Sequence, residues 1–405
     1  MKKTRIRTFY PADPVGVVPG GVDTFIRGLF KWAPEDIEFS LVGMTTDQDT
    51  RPVGRWTICD LGRRAFNFFP VVAVPRAGAR TRVPLSLRYT AGAWRYQRQT
   101  RNDFDVFEFH RVEPALLFTG DARPKNAFFH QDMAVIKTER QADILWRRFP
   151  SIYFGLERKI FSGLSSAWCV REEGAKSLQA RYPSLANHIS FVPTWVDTEV
   201  FSPCPEETRH ALRSAFEKEQ GLDARARWII TVGRLDTQKD PMLMLAAFQK
   251  LLQSGMAANW LVVGDGVLRS DLESAVNAAG LADHVRFLGL QPPSTIANYL
   301  RAADVFALSS AYEGMPMAVL EALGCGLPVA TTDVGEVRRV VFPGVNGNIA
   351  ARRDTSSFAK CLENVVCNAN ALKGARAFSA IEAFKPNSVL APVYQKYREI
   401  GALSA

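Results

Sequence analysis

Residues Ser309–Leu327 read SSAYEGMPMAVLEALGCGL. The run before them, Val305–Leu308, is short and apolar, the pattern of a buried strand. Gly314 permits an unusual backbone angle, and Pro316 suits the first turn of a helix, where its missing N–H costs nothing. The helical pattern runs to Leu323, and Pro328–Thr331 reads as the next strand. Strand, loop, helix, strand is the repeating unit of a parallel sheet with helices on both faces. Glu313 lies in the loop and Glu321 eight residues further on. Eight residues turn an ideal helix by ~800°, about 80° past two full turns. Both carboxylates can therefore flank one cleft, although two solvated helix charges fit the spacing equally well.

The same alternation extends upstream. Arg227–Leu235, Trp260–Val263 and Val285–Leu288 read as strands, separated by helical patterns at Asp240–Gln253, Leu268–Ala279 and Ser294–Ala303. Ligands of such sheets bind beyond the carboxyl ends of the strands. Arg234, Gly264, Gly289 and Ser309–Glu313 fall at those ends. The first half is less regular, with strand patterns at Arg5–Tyr10, Ile37–Val42, Val106–Phe109, Ala127–Phe129, Trp168–Val170 and Ile189–Val192. Gly20-Gly21 opens a helix after the first of these. A chain of 405 residues with this pattern predicts two α/β domains, 1–195 and 196–382, with the tail 383–405 crossing back. The polar, Pro-bearing stretch Pro193–Ala226 suits a connection between them.

The block EGMPMAVLEALGCGLPVATTDVG, Glu313–Gly335, resembles the signature of family 4 glycosyltransferases, whose GT-B fold sets two Rossmann-like domains across a cleft. Gly233-Arg234-Leu235-Asp236-Thr237-Gln238-Lys239 resembles the Gly-Arg-Leu…Lys block of that family. The resemblance implies that Glu313 touches the donor sugar and Glu321 the ribose, with Gly314, Met315 and Pro316 beside them. It also implies that Arg234 and Lys239 hold the nucleotide diphosphate, whose departing negative charge preplaced cations stabilise. Gly20-Gly21 would let the backbone approach the phosphates, Gly289 would end the strand whose backbone reads the base, Gly264 would bind the donor from the end of the strand before it, and His110 would grip the donor sugar from the acceptor side. His130 stands where relatives often carry a second histidine or an aspartate. The match departs at Thr194-Trp195-Val196-Asp197 and at Gly335-Glu336-Val337-Arg338-Arg339, where relatives often have Asn-Gly-Val-Asp and Gly-Gly-x-Pro-Glu.

Composition narrows the remaining classes. Hydrophobic residues are 47% and charged residues 22%, normal for a soluble globular protein. No apolar run reaches the ~20 residues of a membrane span, and the basic start MKKTRIRTFY reads as a strand rather than a signal peptide. Six scattered cysteines without CxxC or Cys/His spacing suggest reduced thiols and a cytoplasmic chain. Asp47-Gln48-Asp49 and Asp103-Phe104-Asp105 are D-x-D sequences, read as turn chemistry; no metal or other cofactor is expected. Residues 1–195 hold 29 Lys and Arg against 19 Asp and Glu, whereas residues 196–405 hold 21 against 22. A basic half suggests an anionic partner: a membrane surface, a phosphorylated acceptor or nucleic acid. Residues 76–101 carry Arg76, Arg80, Arg82, Arg88, Arg95, Arg98 and Arg101, no acid, and the aromatics Tyr89, Trp94 and Tyr96. A second basic-aromatic stretch runs from Trp146-Arg147-Arg148-Phe149 to Lys159. Such segments suit an anionic membrane surface, and no sequence motif of a nucleic-acid-binding fold occurs.

The expectation is a retaining glycosyltransferase, a hexosyltransferase, acting in cell-surface polysaccharide synthesis at the inner face of the cytoplasmic membrane. It would move sugar from a UDP- or GDP-sugar to a glycan or lipid-linked glycan. The alternatives are a nucleotide-sugar 2-epimerase of the same architecture and a non-catalytic nucleotide-sugar-binding protein.

Overall fold

The computed structural model describes residues 3–15, 21–74, 83–130, 150–223 and 225–402. Two compact units divide the chain: unit 1 is Met1–Pro193 with Val389–Ala405, and unit 2 is Thr194–Ser388.

In unit 1 the principal elements are β1 (Thr4–Phe9), α1 (Gly21–Lys31), β2 (Ile37–Thr45), β3 (Thr57–Asp60), β4 (Ala65–Ala73), α2 (Leu85–Arg95), β5 (Val106–Phe109), β6 (Lys125–Phe129), α3 (Pro150–Phe161), β7 (Ser166–Cys169), α4 (Glu172–Arg181) and β8 (Ile189–Phe191). They form one sheet of order β3-β4-β2-β1-β5-β6-β7-β8, parallel except for the β3–β4 edge pair. Strand order reverses between β1 and β5, so the ends of those two strands, at Tyr10 and His110, border the natural ligand crevice. Phe9, Phe107, Phe109 and Phe118 pack ring against ring beneath it, with Phe118 4.8 Å from Phe107 and 4.9 Å from Phe9. Aromatic pairs of this kind contribute about 0.5–1.5 kcal/mol beyond the area they bury. β3 and β4 escape sequence reading because Ile58 of β3 points to solvent and Asn67 and Pro70 interrupt the apolar run of β4.

Unit 2 comprises α5 (Glu206–Gln220), β9 (Arg227–Val232), α6 (Pro241–Gln253), β10 (Ala258–Val263), α7 (Arg269–Ala278), β11 (Val285–Gly289), α8 (Pro293–Ala302), β12 (Val305–Leu308), α9 (Met317–Gly324), β13 (Val329–Thr331), β14 (Gly347–Ile349) and α10 (Thr355–Cys367). The sheet is parallel throughout, in the order β11-β10-β9-β12-β13-β14. That is the doubly wound order, with its switch point between β9 and β12. All six residues of β10 are buried, as in a parallel strand covered on both faces. The last helix, α11 (Pro386–Ala402), packs into unit 1 from Val389 onward.

The Pro193–Ala226 stretch is more than a connection, since it contains α5. None of the residues of this helix is fully buried, which is why its sequence reads as a polar linker. Leu212 and Phe216 cover one edge of the unit 2 core, and the Phe216 ring stacks on Tyr299 at 4.2 Å. Arg213 of α5 reaches Asp304 at 2.8 Å, and Lys373 meets the same carboxylate at 2.9 Å. Among the described residues no helix is long and apolar enough to cross a membrane.

Candidate functional site

β9 and β12 are neighbours in the sheet, pairing Val305 with Ile229 and Phe306 with Ile230. The loops that follow them therefore leave the sheet side by side. Ala311 N–H donates to the Gln238 carbonyl at 2.7 Å, and Ser309 Oγ lies 2.9 Å from the carbonyls of Lys239 and Asp240. Asp240, in the left-handed region at φ 45°, caps α6 by accepting from Leu243 N–H at 3.1 Å.

This stitching brings the charged side chains together. Lys239 Nζ lies 2.5 Å from Glu313 Oε1, which also accepts from Ser310 Oγ at 2.8 Å. Gln238 Nε2 reaches Glu313 Oε2 at 3.4 Å, and Gln238 Oε1 accepts from Arg234 at 3.1 Å. Arg234 also pairs with Asp236 at 3.1 Å, and its side chain is 63% exposed. Burial pushes the Glu321 carboxyl up to about 7, while the positive charge of Lys239 pulls it down. Lys239 thus pairs with one carboxylate and exerts its charge on a second, and Arg234 joins the group through Gln238.

Two glycines let the backbone pack closely beside this region. Gly264, at φ 131°, presses so closely on the Gly233 carbonyl that a Cβ there would overlap it. Gly335, at φ 52°, packs the same way on Gly314, whose carbonyl accepts from Glu336 N–H at 2.9 Å. The Gly289 carbonyl accepts from Gly264 N–H at 2.8 Å, tying the ends of β10 and β11. Pro316 stands just before α9 rather than in its first turn, and Met315 packs half-buried against the core. No side chain caps α9, so its first-turn N–H groups favour an oxygen anion. In the divergent segment Arg338 grips Asp333 at 2.7 and 2.9 Å.

In unit 1, Gly20 lies outside the described residues and Gly21 begins α1. His110 follows β5 and is buried with both ring nitrogens engaged. Its Nε2 is 3.0 Å from Glu108 Oε1 and its Nδ1 2.8 Å from His130 Nε2. Burial lowers His110 to about 3. Glu108 is the residue that sequence reasoning passed over; a glutamate inside the apolar strand VFEF was its signal. Asp47 binds Asp49 N–H at 3.2 Å and Thr50 Oγ1 at 3.0 Å, and Asp105 binds Arg5 N–H at 2.8 Å. Among the described residues, no group of three His, Cys, Asp or Glu side chains is placed to hold a metal ion.

The basic-aromatic segments separate into core and surface. Arg76, Arg80, Arg82 and Trp146–Phe149 lie outside the described residues. Tyr89 is buried, donating to the Val42 carbonyl at 2.6 Å, and Tyr96 packs on Phe69. Arg88 and Arg101 are bonded to the Ala73 carbonyl and to Asp121. Leu87, Ala91, Trp94, Arg95 and Arg98 are exposed, at spacings that place them along one side of α2 and its continuation.

The family model described as glycosyl transferases group 1 matches residues 213–377. A D-inositol 3-phosphate glycosyltransferase of Segniliparus rotundus is 30% identical over 177 residues, 43% of this chain and 38% of that protein. The UDP-Gal:alpha-D-GlcNAc-diphosphoundecaprenol alpha-1,3-galactosyltransferase of Escherichia coli is 32% identical over 180 residues, 44% of this chain and 45% of that protein. The chain spans under half the length of these curated relatives. Among solved structures, sucrose-phosphate synthase from Thermosynechococcus elongatus matches with a TM-score of 0.75 at 18% identity, over 99% of this chain and 100% of that one. Anabaena HepE in complex with UDP matches with a TM-score of 0.71 at 15% identity, over 98% and 100%. Residues 213–377, which carry the Lys239–Glu313 cluster, match the glycosyl transferases group 1 family, in a chain of GT-B fold.

Proposed function

We propose that this protein is a retaining hexosyltransferase, moving sugar from a UDP- or GDP-sugar to a glycan or lipid-linked glycan in cell-surface polysaccharide synthesis. The observation that carries this reading is the Lys239–Glu313–Glu321 cluster at the switch point of unit 2, with Arg234 beside it. A diphosphate there draws Lys239 away from Glu313, and that exchange frees the carboxylate for the hydroxyls of the sugar. Lys239, Arg234 and the α9 N-terminus neutralise the charge that builds on the departing diphosphate, so the reaction requires no metal. Acceptor hydroxyl and leaving phosphate lie on the same face of the sugar, and the phosphate oxygen takes the proton. Unit 1 takes the acceptor side, with His110 at its crevice. The exposed side of α2 docks on the anionic inner face of the cytoplasmic membrane.

A thermal-shift screen of UDP- and GDP-sugars identifies the donor, because a bound donor raises Tm. Incubation with lipid-linked glycan acceptors, followed by NMR of the anomeric centre, then reads transfer and retention. Conversion of the donor without any acceptor would make the chain an epimerase. A raised Tm without turnover of any kind would make it a binding protein.

A further inference from the structure

The Glu313 carboxylate is held by more than its cation. Its side chain is 8% exposed, and donors from two loops reach it. Lys239 Nζ and Ser310 Oγ share Oε1, at 2.5 and 2.8 Å. Gln238 Nε2 reaches Oε2 at 3.4 Å. Ser310 is itself fully buried, and its carbonyl accepts from Thr332 Oγ1 at 2.8 Å. The Gln238 carbonyl accepts from Ala311 N–H at 2.7 Å. Both neutral donors therefore stand on backbone that is pinned without the Lys239 ammonium.

The orientation of the Gln238 amide follows from what lies at its two ends. Oε1 faces the Arg234 guanidinium at 3.1 Å, a group that only donates. Nε2 faces the Tyr312 carbonyl at 3.2 Å and the Glu313 carboxylate, groups that accept. Its two hydrogens match those two acceptors. A flipped amide would set donor on donor and acceptor on acceptor. Glutamine thus meets a cation at one end and an anion at the other without adding charge.

A diphosphate that takes Lys239 leaves a buried carboxylate without its cation, which is costly unless other donors stay in place. Ser310 and Gln238 stay, one on each oxygen, and hydrogen bonds to a charged group are the stronger kind. A carboxylate has about four acceptor positions, so two neutral donors leave room on both oxygens for sugar hydroxyls. We propose that Gln238 and Ser310 are positioning residues, which hold the Glu313 carboxylate in place for the donor sugar once Lys239 has gone over to the diphosphate. Sugar and diphosphate as ligands rest on the function proposed above. The charged groups facing this set are Arg234, Asp236 and Lys239 from the loop after β9 and Glu321 from α9.

The test is isothermal titration of the full chain with UDP and UDP-glucose, and with GDP and GDP-mannose, read on the pair that the wild type binds more tightly. Ser310→Ala removes a donor from the carboxylate and nothing from the cations. It should weaken the sugar nucleotide about tenfold and leave the nucleoside diphosphate within about twofold. Gln238→Met keeps the length without the amide and should weaken the sugar nucleotide about tenfold. Gln238 is half-buried, so its variants keep the test alive if Ser310→Ala does not fold. Gln238→Glu keeps an acceptor for Arg234 but sets a carboxylate against Glu313. At about pH 8 it should bind the sugar nucleotide more weakly than Gln238→Met, and at about pH 5 its protonated carboxyl can donate as the amide does, so the gap to wild type should close. A residue that merely supports the fold gives no such recovery. Equal weakening of both ligands in Ser310→Ala, or no weakening of either, overturns the role of Ser310. A Gln238→Glu deficit that is the same at both pH values overturns that of Gln238. A wild type that binds the sugar nucleotides and transfers no sugar would count against the proposed function and leave these ratios standing.

Discussion

Lys239 Nζ sits 2.5 Å from Glu313 Oε1 across 74 residues of chain, and Ser310 Oγ donates to the same oxygen. The cation proposed to meet a diphosphate and the carboxylate proposed to meet a sugar are thus partners in one hydrogen-bonded group. Lys239→Ala and Glu313→Ala should each lower kcat by on the order of 10²–10³-fold, with unchanged far-UV circular dichroism. Turnover near wild type in both variants would remove this group from the chemistry.

Gly335→Ala tests the backbone beneath that group. A Cβ at Gly335 meets the Gly314 carbonyl, in a left-handed conformation that disfavours any side chain. The Glu313–Gly314 turn must shift to admit it. We expect KM for the donor to rise about tenfold, a loss of ~1.4 kcal/mol, while KM for the acceptor stays put. An effect confined to the acceptor would place the turn elsewhere in the reaction.

Glu321 gives the unit a pH dependence whose sign is fixed. Burial holds its carboxyl near 7, above the ordinary glutamate value of about 4.5. Its contribution to stability is therefore present below about pH 4.5 and lost as pH rises through 7. Glu321→Gln, which cannot ionise, should narrow the fall in stability between those limits by up to about 3 kcal/mol. Parallel denaturation curves for the two proteins at pH 5 and pH 8, set either side of the raised value, would show that Glu321 is not held in this way.

Asp304 is a structural counterpart, away from the site. Its carboxylate, 2% exposed, meets Arg213, Lys373 and the Trp228 N–H at 2.8 to 2.9 Å. Those partners hold it well below the usual carboxylate range, so its contribution is present near neutrality and lost as acid protonates it. Asp304→Ala takes the carboxylate from Lys373 and one of the two from Arg213, and should cost about 3–5 kcal/mol in urea unfolding. A loss under 1 kcal/mol, the scale of a surface ion pair, would contradict the buried geometry.

The exposed side of α2 predicts selective membrane binding. Trp94 is 63% and Leu87 47% exposed, next to Arg95 and Arg98. Co-sedimentation should be stronger with vesicles containing anionic lipid than with neutral ones. Arg95→Glu with Arg98→Glu should weaken it by about 1 kcal/mol per removed cation. Equal binding to neutral and anionic vesicles would end this idea.

Legibility in the sequence follows burial. β9 through β13 were readable because a strand covered on both faces is a continuous apolar run between turn residues. β3, β4 and α5 were not. Each shows solvent a polar or interrupted surface, and Phe216 alone does not announce a helix. At the site, Arg234, Lys239 and Glu313 stood out by their place after strands. Glu108 did not, since its meaning depends on Tyr397, 289 residues away, reaching it from α11.

By itself the sequence determined the β–α alternation, the glycines at strand ends and which charged residues follow which strand, because these are set within a few residues along the chain. Only the tertiary structure decided what those residues touch. The sheet order places β9 against β12, and so Lys239 against Glu313. It places β5 between β1 and β6, and so Glu108 beside Thr8 and His110 beside His130. Partners so far apart in the chain are chosen by strand pairing and core packing, and no local pattern encodes them.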